Sequence, residues 1–279
     1  MIMTGAVKAE WRKNTRRPAF LVVAGLVAGI TVLTYAIDYY QALHPTAGEV
    51  AQGIAPLLKL ELSPAQFVNN IIGAVFPLGA AMAIVLGALA MGSEYSWATL
   101  KTMLTQRPGR LTALAGRLIA FQAWMLVLTV LLFGLAAASS IVIALMGGLG
   151  VEWPSLIDVA RGVGAAWLVL ALYGTFGMAL GVVFRQAAVA LGAGLIYLVI
   201  LQEIVTRFIG AVNGGQYQGV TRWFDGPNVQ SLIESFTSTA FRPSAPPAVT
   251  PVQAATVICA YLVVCTVALA VIMKRRDVA

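Results

Sequence analysis

Gly92-Ser-Glu-Tyr-Ser-Trp-Ala-Thr-Leu-Lys-Thr-Met-Leu-Thr-Gln-Arg-Pro-Gly-Arg110 is a polar island between two long apolar runs, residues 67–91 and 118–146. A helix of about 20 apolar residues crosses the hydrocarbon layer of a bilayer. The island is therefore where the chain meets water between two crossings. Its own pattern is helical. Ser93 is placed to cap a helix, and Glu94 suits the first turn, where the dipole favours an anion. Trp97, Leu100, Met103 and Leu104 share one face; Thr99, Lys101, Thr102 and Gln106 cover much of the other. Arg107-Pro108-Gly109-Arg110 ends it, and a second helical stretch, residues 111–117, leads into the next run. The pattern predicts a short amphipathic docking helix on the water side; the plainer alternative is a solvated loop with helical propensity.

The rest of the chain agrees with this solvent. Of 279 residues, 59% are hydrophobic and only 10% charged, and mean hydropathy is +0.86. A soluble domain carries about 25% charged residues. Backbone groups in lipid must bond one another, so spans are helices or closed barrels, and continuous apolar runs select helices. Six spans are expected, over residues 18–37, 67–91, 118–146, 163–184, 187–209 and 252–273, in one unit covering 1–279. The fold class is an all-α membrane protein. Arg185-Gln186 leaves room only for a tight hairpin between spans four and five, and Pro77 is expected to kink span two. The first run is too long for a signal-peptide core and lacks a small-residue cleavage site, so it reads as a retained anchor.

The net charge of +7 would suggest nucleic acid in a soluble protein. Here its distribution sets orientation instead. With both termini on one side, that side holds Lys8, Arg12, Lys13, Arg16, Arg17, Lys101, Arg107, Arg110, Arg117, Arg185, Lys274, Arg275 and Arg276, most of the 18 Lys and Arg in the chain. Both termini are expected in the cytoplasm. In residues 1–17, Met3, Val7 and Trp11 form an apolar stripe and Lys8, Arg12 and Arg16 a basic row. That is an interfacial helix with its apolar face in the headgroup boundary, or, more simply, a topology signal. Glu10 does not suit lipid and points to a contact with a cytoplasmic partner. The 210–251 connection is expected outside; residues 232–237 form either a short helix resting on or dipping into the outer leaflet or part of a surface loop.

Polar groups inside the spans are few: Asn69 and Asn70, Gln122, Gln202, Glu203 and Arg207. Glu203 and Arg207 are four apart and pair on one helix face. Ionisable residues in spans are functional candidates; these sit near the interface, where a structural pair is the alternative to a place on the substrate path. Gly25-Leu-Val-Ala-Gly29 and Gly177-Met-Ala-Leu-Gly181 are small-residue motifs that permit close helix contact. Cys259 and Cys265 read as buried thiols with no metal pattern around them. No HExxH and no GxxxxGK[ST] occurs, and one histidine makes no triad. The chain is expected to be non-catalytic, with no metal and no bound cofactor of its own.

Glu94-Tyr95, Ala98-Thr99-Leu100-Lys101 and Arg110, with Lys8-Ala-Glu-Trp-Arg-Lys before span one, resemble the permease subunits of type-2 ATP-binding-cassette (ABC) exporters. Ala98 stands where that family often has glycine. The six-span layout and the long connection before span six extend the resemblance over the whole chain. It implies that 92–117 is the coupling segment, with Glu94, Tyr95, Trp97, Thr99, Leu100, Lys101 and Leu104 docking on a separate ATPase subunit that holds ATP and Mg. It implies that Glu10 and Trp11 face the same partner, and that a second permease chain completes a pathway in the cell (inner) membrane. The expected function is ATP-driven export of an amphipathic or hydrophobic substrate such as a drug, peptide or lipid. The alternative is an ATPase-independent secondary carrier or a membrane-anchor subunit. Membrane lipids are partners in either case; nucleic acid is not.

Overall fold

With no water to satisfy its backbone, a chain of this composition must bond its peptide groups within each segment. The computed structural model describes residues 2–47, 50, 55–96, 110–211, 218–236 and 249–275, and among them every regular element is helical. In chain order these are α1 (Ile2–Arg16), α2 (Pro18–Leu43), α3 (Ala55–Glu61), a 3-10 turn (Pro64–Gln66) and α4 (Phe67–Ala74). Then follow α5 (Ala80–Ser96), α6 (Arg110–Gly147), α7 (Leu156–Phe184), α8 (Ala187–Ile196) and α9 (Gln202–Ala211). The chain closes with α10 (Gln218–Thr221), α11 (Asp225–Glu234) and α12 (Pro251–Arg275). Six stretches are long and apolar enough to cross a membrane: Pro18–Leu43, Phe76–Ser93, Leu111–Gly147, Leu156–Phe184, Ala187–Ile209 and Pro251–Arg275.

The helices outrun the sequence-based spans where nothing in the local chemistry stops them. α5 continues through Ser96, so Ser93 lies inside it and caps nothing; its hydroxyl donates back to the Leu89 carbonyl at 2.6 Å. α6 runs unbroken from Arg110 for 38 residues, joining the predicted 111–117 stretch to span three. At about 1.5 Å per residue it is roughly 57 Å long, well beyond a hydrocarbon layer of about 30 Å. α7 begins at Leu156 because Ser155 caps it, accepting from the Asp158 N–H at 3.1 Å. The kink expected at Pro77 is present as a full break: Phe76 is extended (φ −123°, ψ 131°) between α4 and α5. Arg185 makes the predicted hairpin with a left-handed backbone (φ 54°), and α8 runs to α9 through one π turn, Tyr197–Leu201.

The centre of the bundle is the α5–α7 crossing, and glycine makes it close. A Cβ on Gly87 would strike the Gly174 carbonyl, and one on Gly177 would strike the Ile84 backbone. Gly181 is also tight, though less so, 2.9 Å from the Gly92 nitrogen as measured from a Cβ built on it. The motif at 177–181 thus serves the close contact its spacing suggests. Gly25 and Gly29 meet nothing within 4 Å and do not pack inside this chain. α12 buries only one stripe, including Ala254, Ile258, Leu269 and Met273. The two cysteines fall off that stripe: Cys259 is exposed and Cys265 half-buried, which corrects their reading as buried thiols. Leu21, Val22, Val263 and Val264 also stand exposed on α2 and α12, as expected of surfaces whose solvent is lipid.

Candidate functional site

Two places in the bundle bring chemistry-bearing side chains together. The first lies at the end holding α1, Ser93, Arg110 and Arg185. α1 packs against α6 on the side that carries Trp11. Ala6 sits over Gly116, where a Cβ would come within 2.8 Å of the Ala6 methyl. Trp11 meets Trp124 edge-on, with ring centroids 5.8 Å apart. The basic row, Lys8, Arg12 and Arg16, stays exposed. Between these layers Glu10 and Arg117 are buried, 6% and 5% exposed, and form an ion pair at 2.9 Å. Arg117 also donates to the Met91 sulfur at 3.3 Å, and Lys13 lies 3.9 Å from the other Glu10 oxygen. A charge buried alone costs several kcal/mol, so each partner requires the other. Glu10 therefore already has a partner inside the chain. In the sequence Arg117 stands out only through the charge balance.

Glu94 and Tyr95 lie in the last turn of α5. Trp97, Thr99, Leu100, Lys101 and Leu104 fall in 97–109, outside the described residues. The Glu10–Arg117 pair stands beside both helices that flank that segment, through Met91 of α5 and Arg117 of α6.

The second place is at mid-height. Asp225, at the start of α11, is 4% exposed. Its two oxygens accept from Tyr197 at 2.6 Å and from Tyr173 at 3.2 Å. Gln202 in turn donates to the Tyr173 hydroxyl at 3.1 Å. Tyr261 of α12 donates to the Trp223 carbonyl at 3.0 Å. Taking about 1.5 Å of rise per residue, Tyr197 is roughly 15 Å from Ala187, and Tyr261 roughly 15 Å from Pro251. Residues 223–225 therefore reach the middle of the spans. α11 enters the bundle and buries Asn228, Val229, Ser231 and Leu232, which favours the dipping helix over the surface loop, starting at Asp225 rather than Leu232. Nothing in the periodicity of 210–251 marks Asp225; the signal available was an acid followed by Gly-Pro-Asn, a helix-start composition inside an apolar context.

A cavity of about 500 Å³ opens beside this network, where the break at Phe76-Pro77 faces Leu198, Val199 and Gln202 on one side and Gly226-Pro227 on the other. A Cβ on Gly226 would meet the Gln202 amide, so a side chain there would have to push that amide aside. Phe76 closes the inner wall by stacking on Tyr173, centroids 6.2 Å apart.

The remaining predicted polar residues are placed separately. Glu203 and Arg207 pair as their spacing suggests, at 2.5 Å, both exposed. Asn70 donates to the Glu61 carbonyl at 2.8 Å, and Asn69 donates to Gln66. Gln122 joins α6 to α7 by donating to Thr175 at 2.7 Å. The last three are bonds between neighbouring elements, away from the cavity, whereas Glu203 is one of its lining residues. Among the described residues no group of three or more His, Cys, Asp and Glu is arranged to hold a metal.

Six apolar helices with this arrangement define a multi-pass membrane protein. The chain belongs to the ABC-2 family of transporter proteins, whose family model matches residues 6–278. It is thus a transmembrane component of an ABC transporter, a class that works with a nucleotide-binding subunit. No match was found among curated proteins.

Proposed function

We propose that this permease exports an amphipathic or hydrophobic substrate (a drug, peptide or lipid) across the cell (inner) membrane, driven by a separate ATPase subunit. ATP and Mg belong to that partner; this chain hydrolyses nothing. The whole of 1–279 acts as one permease unit, with both termini in the cytoplasm, and two such chains enclose the pathway. The ATPase docks on the 92–117 segment through Glu94, Tyr95, Trp97, Thr99, Leu100, Lys101 and Leu104. The single observation that supports this reading is the Glu10–Arg117–Met91 junction. It fastens α1 to both helices flanking the docking segment, so a push there would move spans two and three together. Glu10 and Trp11 then act by holding this joint.

The test is Glu94→Ala in the complex reconstituted with its ATPase. Membrane insertion should persist while ATPase association and ATP-driven transport fall. Wild-type association and transport in that variant would remove the docking assignment. The second reading, an ATPase-independent carrier, draws support from the buried carboxylate of Asp225. Transport that survives ATP depletion but stops when the proton gradient is collapsed would favour it.

A further inference from the structure

We propose that the cavity between the Phe76 break, the 198–206 stretch and α11 is a binding site for an amphipathic cation. Its walls are largely apolar, formed by Phe76, Leu198 and neighbouring residues, and its volume of about 500 Å³ suits a small organic molecule. The polar side chains lining it are Gln202, Glu203, Thr206 and Gln230. One of these is a carboxylate and the others are amides or a hydroxyl. Among the described residues that line it there is no Lys, Arg or His. Arg207, outside the lining, is already paired with Glu203.

The back wall strengthens the sign. Asp225 precedes Gly226 and Pro227 of the lining, and its described partners are two neutral tyrosine hydroxyls. Among the described residues no basic group lies within ion-pair distance of it. A carboxylate held this deep in an apolar bundle keeps a strong field, because little water screens it. Glu203 at the rim is paired with Arg207, but that pair is exposed and weak, so an arriving cation can compete for the carboxylate. Phe76 adds an aromatic face to which organic cations are attracted.

The inference rests on the transport reading only in calling the ligand a substrate; the site itself stands on the cavity and its charges. It is therefore tested by binding, with no ATPase present. The probes are tetraphenylphosphonium and tetraphenylborate, ions of matched shape and opposite sign, applied to the purified permease in zwitterionic nanodiscs. Tetraphenylphosphonium should bind saturably, and tetraphenylborate should show only linear partitioning into lipid. Glu203→Gln should weaken the cation by about fivefold, the scale of one partly exposed charge contact. Arg207→Gln, which frees the carboxylate, should tighten it or leave it unchanged. Val199→Trp, which fills the cavity, should abolish the saturable component. Saturable binding of both ions alike overturns the proposal. So does cation binding that is indifferent to both Glu203→Gln and Val199→Trp. Wild-type ATP-driven transport by Glu94→Ala in the full complex, with cation binding intact, would instead count against the docking assignment alone.

Discussion

Arg117 and Glu10 lie 107 positions apart in sequence, yet their side chains meet at 2.9 Å with neither more than 7% exposed. This pair gives the first prediction. Arg117→Met or Glu10→Gln alone removes one half of a buried ion pair, at a cost of about 3–5 kcal/mol. The double substitution should cost less than either single one. Thermal unfolding of the four proteins in detergent checks this, and simple additivity would show that the pair is not coupled.

The glycine seam predicts a contrast between positions of the same residue type. Gly177→Ala drives a methyl into the Ile84 backbone, and backbone cannot give way as a flexible side chain can. A loss of about 1–3 kcal/mol and a lower folded yield are expected. Gly25→Ala, with nothing within 4 Å, should be neutral or slightly stabilising because helical glycine carries an entropic penalty. Equal sensitivity at both sites would contradict the observed packing, and size-exclusion yield with thermal shift reads the difference.

Asp225 holds α11 in the bundle, so removing its acceptors should loosen that helix. Asp225→Ala leaves the Tyr173 and Tyr197 hydroxyls without their acceptor, while Tyr197→Phe removes one bond to a charged group, worth about 1.5–3 kcal/mol. Ser231, 3% exposed, reports the opening. With Cys259 and Cys265 replaced by alanine, a cysteine introduced at 231 should react slowly with maleimide in the parent and many-fold faster after Asp225→Ala. Unchanged labelling would show that apolar packing alone holds α11.

Glu61 predicts a pH dependence. It lies outside the spans, and burial first, then the nearby Asp38 carboxylate, raise its carboxyl above the usual 4.5. A carboxyl raised in the folded state keeps its proton there longer than in the unfolded chain. Its contribution is thus most favourable below 4.5 and declines as pH rises through the folded value. Glu61→Gln, which keeps the carbonyl that Asn70 uses, should be more stable than the parent at neutral pH and equal to it in acid. Thermal shifts from pH 4 to 8 measure the difference; a parallel profile in both proteins would show that Glu61 does not titrate in this way.

Much of the architecture is legible in the chain because lipid leaves few choices. Long apolar runs must be helices, so the six crossings, the Arg185 hairpin and the break near Pro77 follow from composition and from two or three residues. Boundaries were less legible. The sequence marks where apolarity stops, whereas a helix stops where its hydrogen-bond ladder loses a partner; α6 therefore begins at Arg110 and not near Leu118. The Glu203–Arg207 pair could be read because its partners share one helix. Glu10–Arg117 and Asp225–Tyr197 could not, because each joins segments whose meeting depends on how the spans pack.

Solvent class and the number of membrane-crossing helices were thus settled by residue chemistry that acts over one or two turns. The choice of α6 as the seat for the Trp11 side of α1, the burial of Asp225 at mid-height and the cavity beside Gln202 came only with packing. Apolar periodicity states that a face must be covered; it does not state by what. In this protein glycine contacts bring α5 and α7 close, that closeness sets where the neighbouring helices lie, and their positions decide which distant charges become partners.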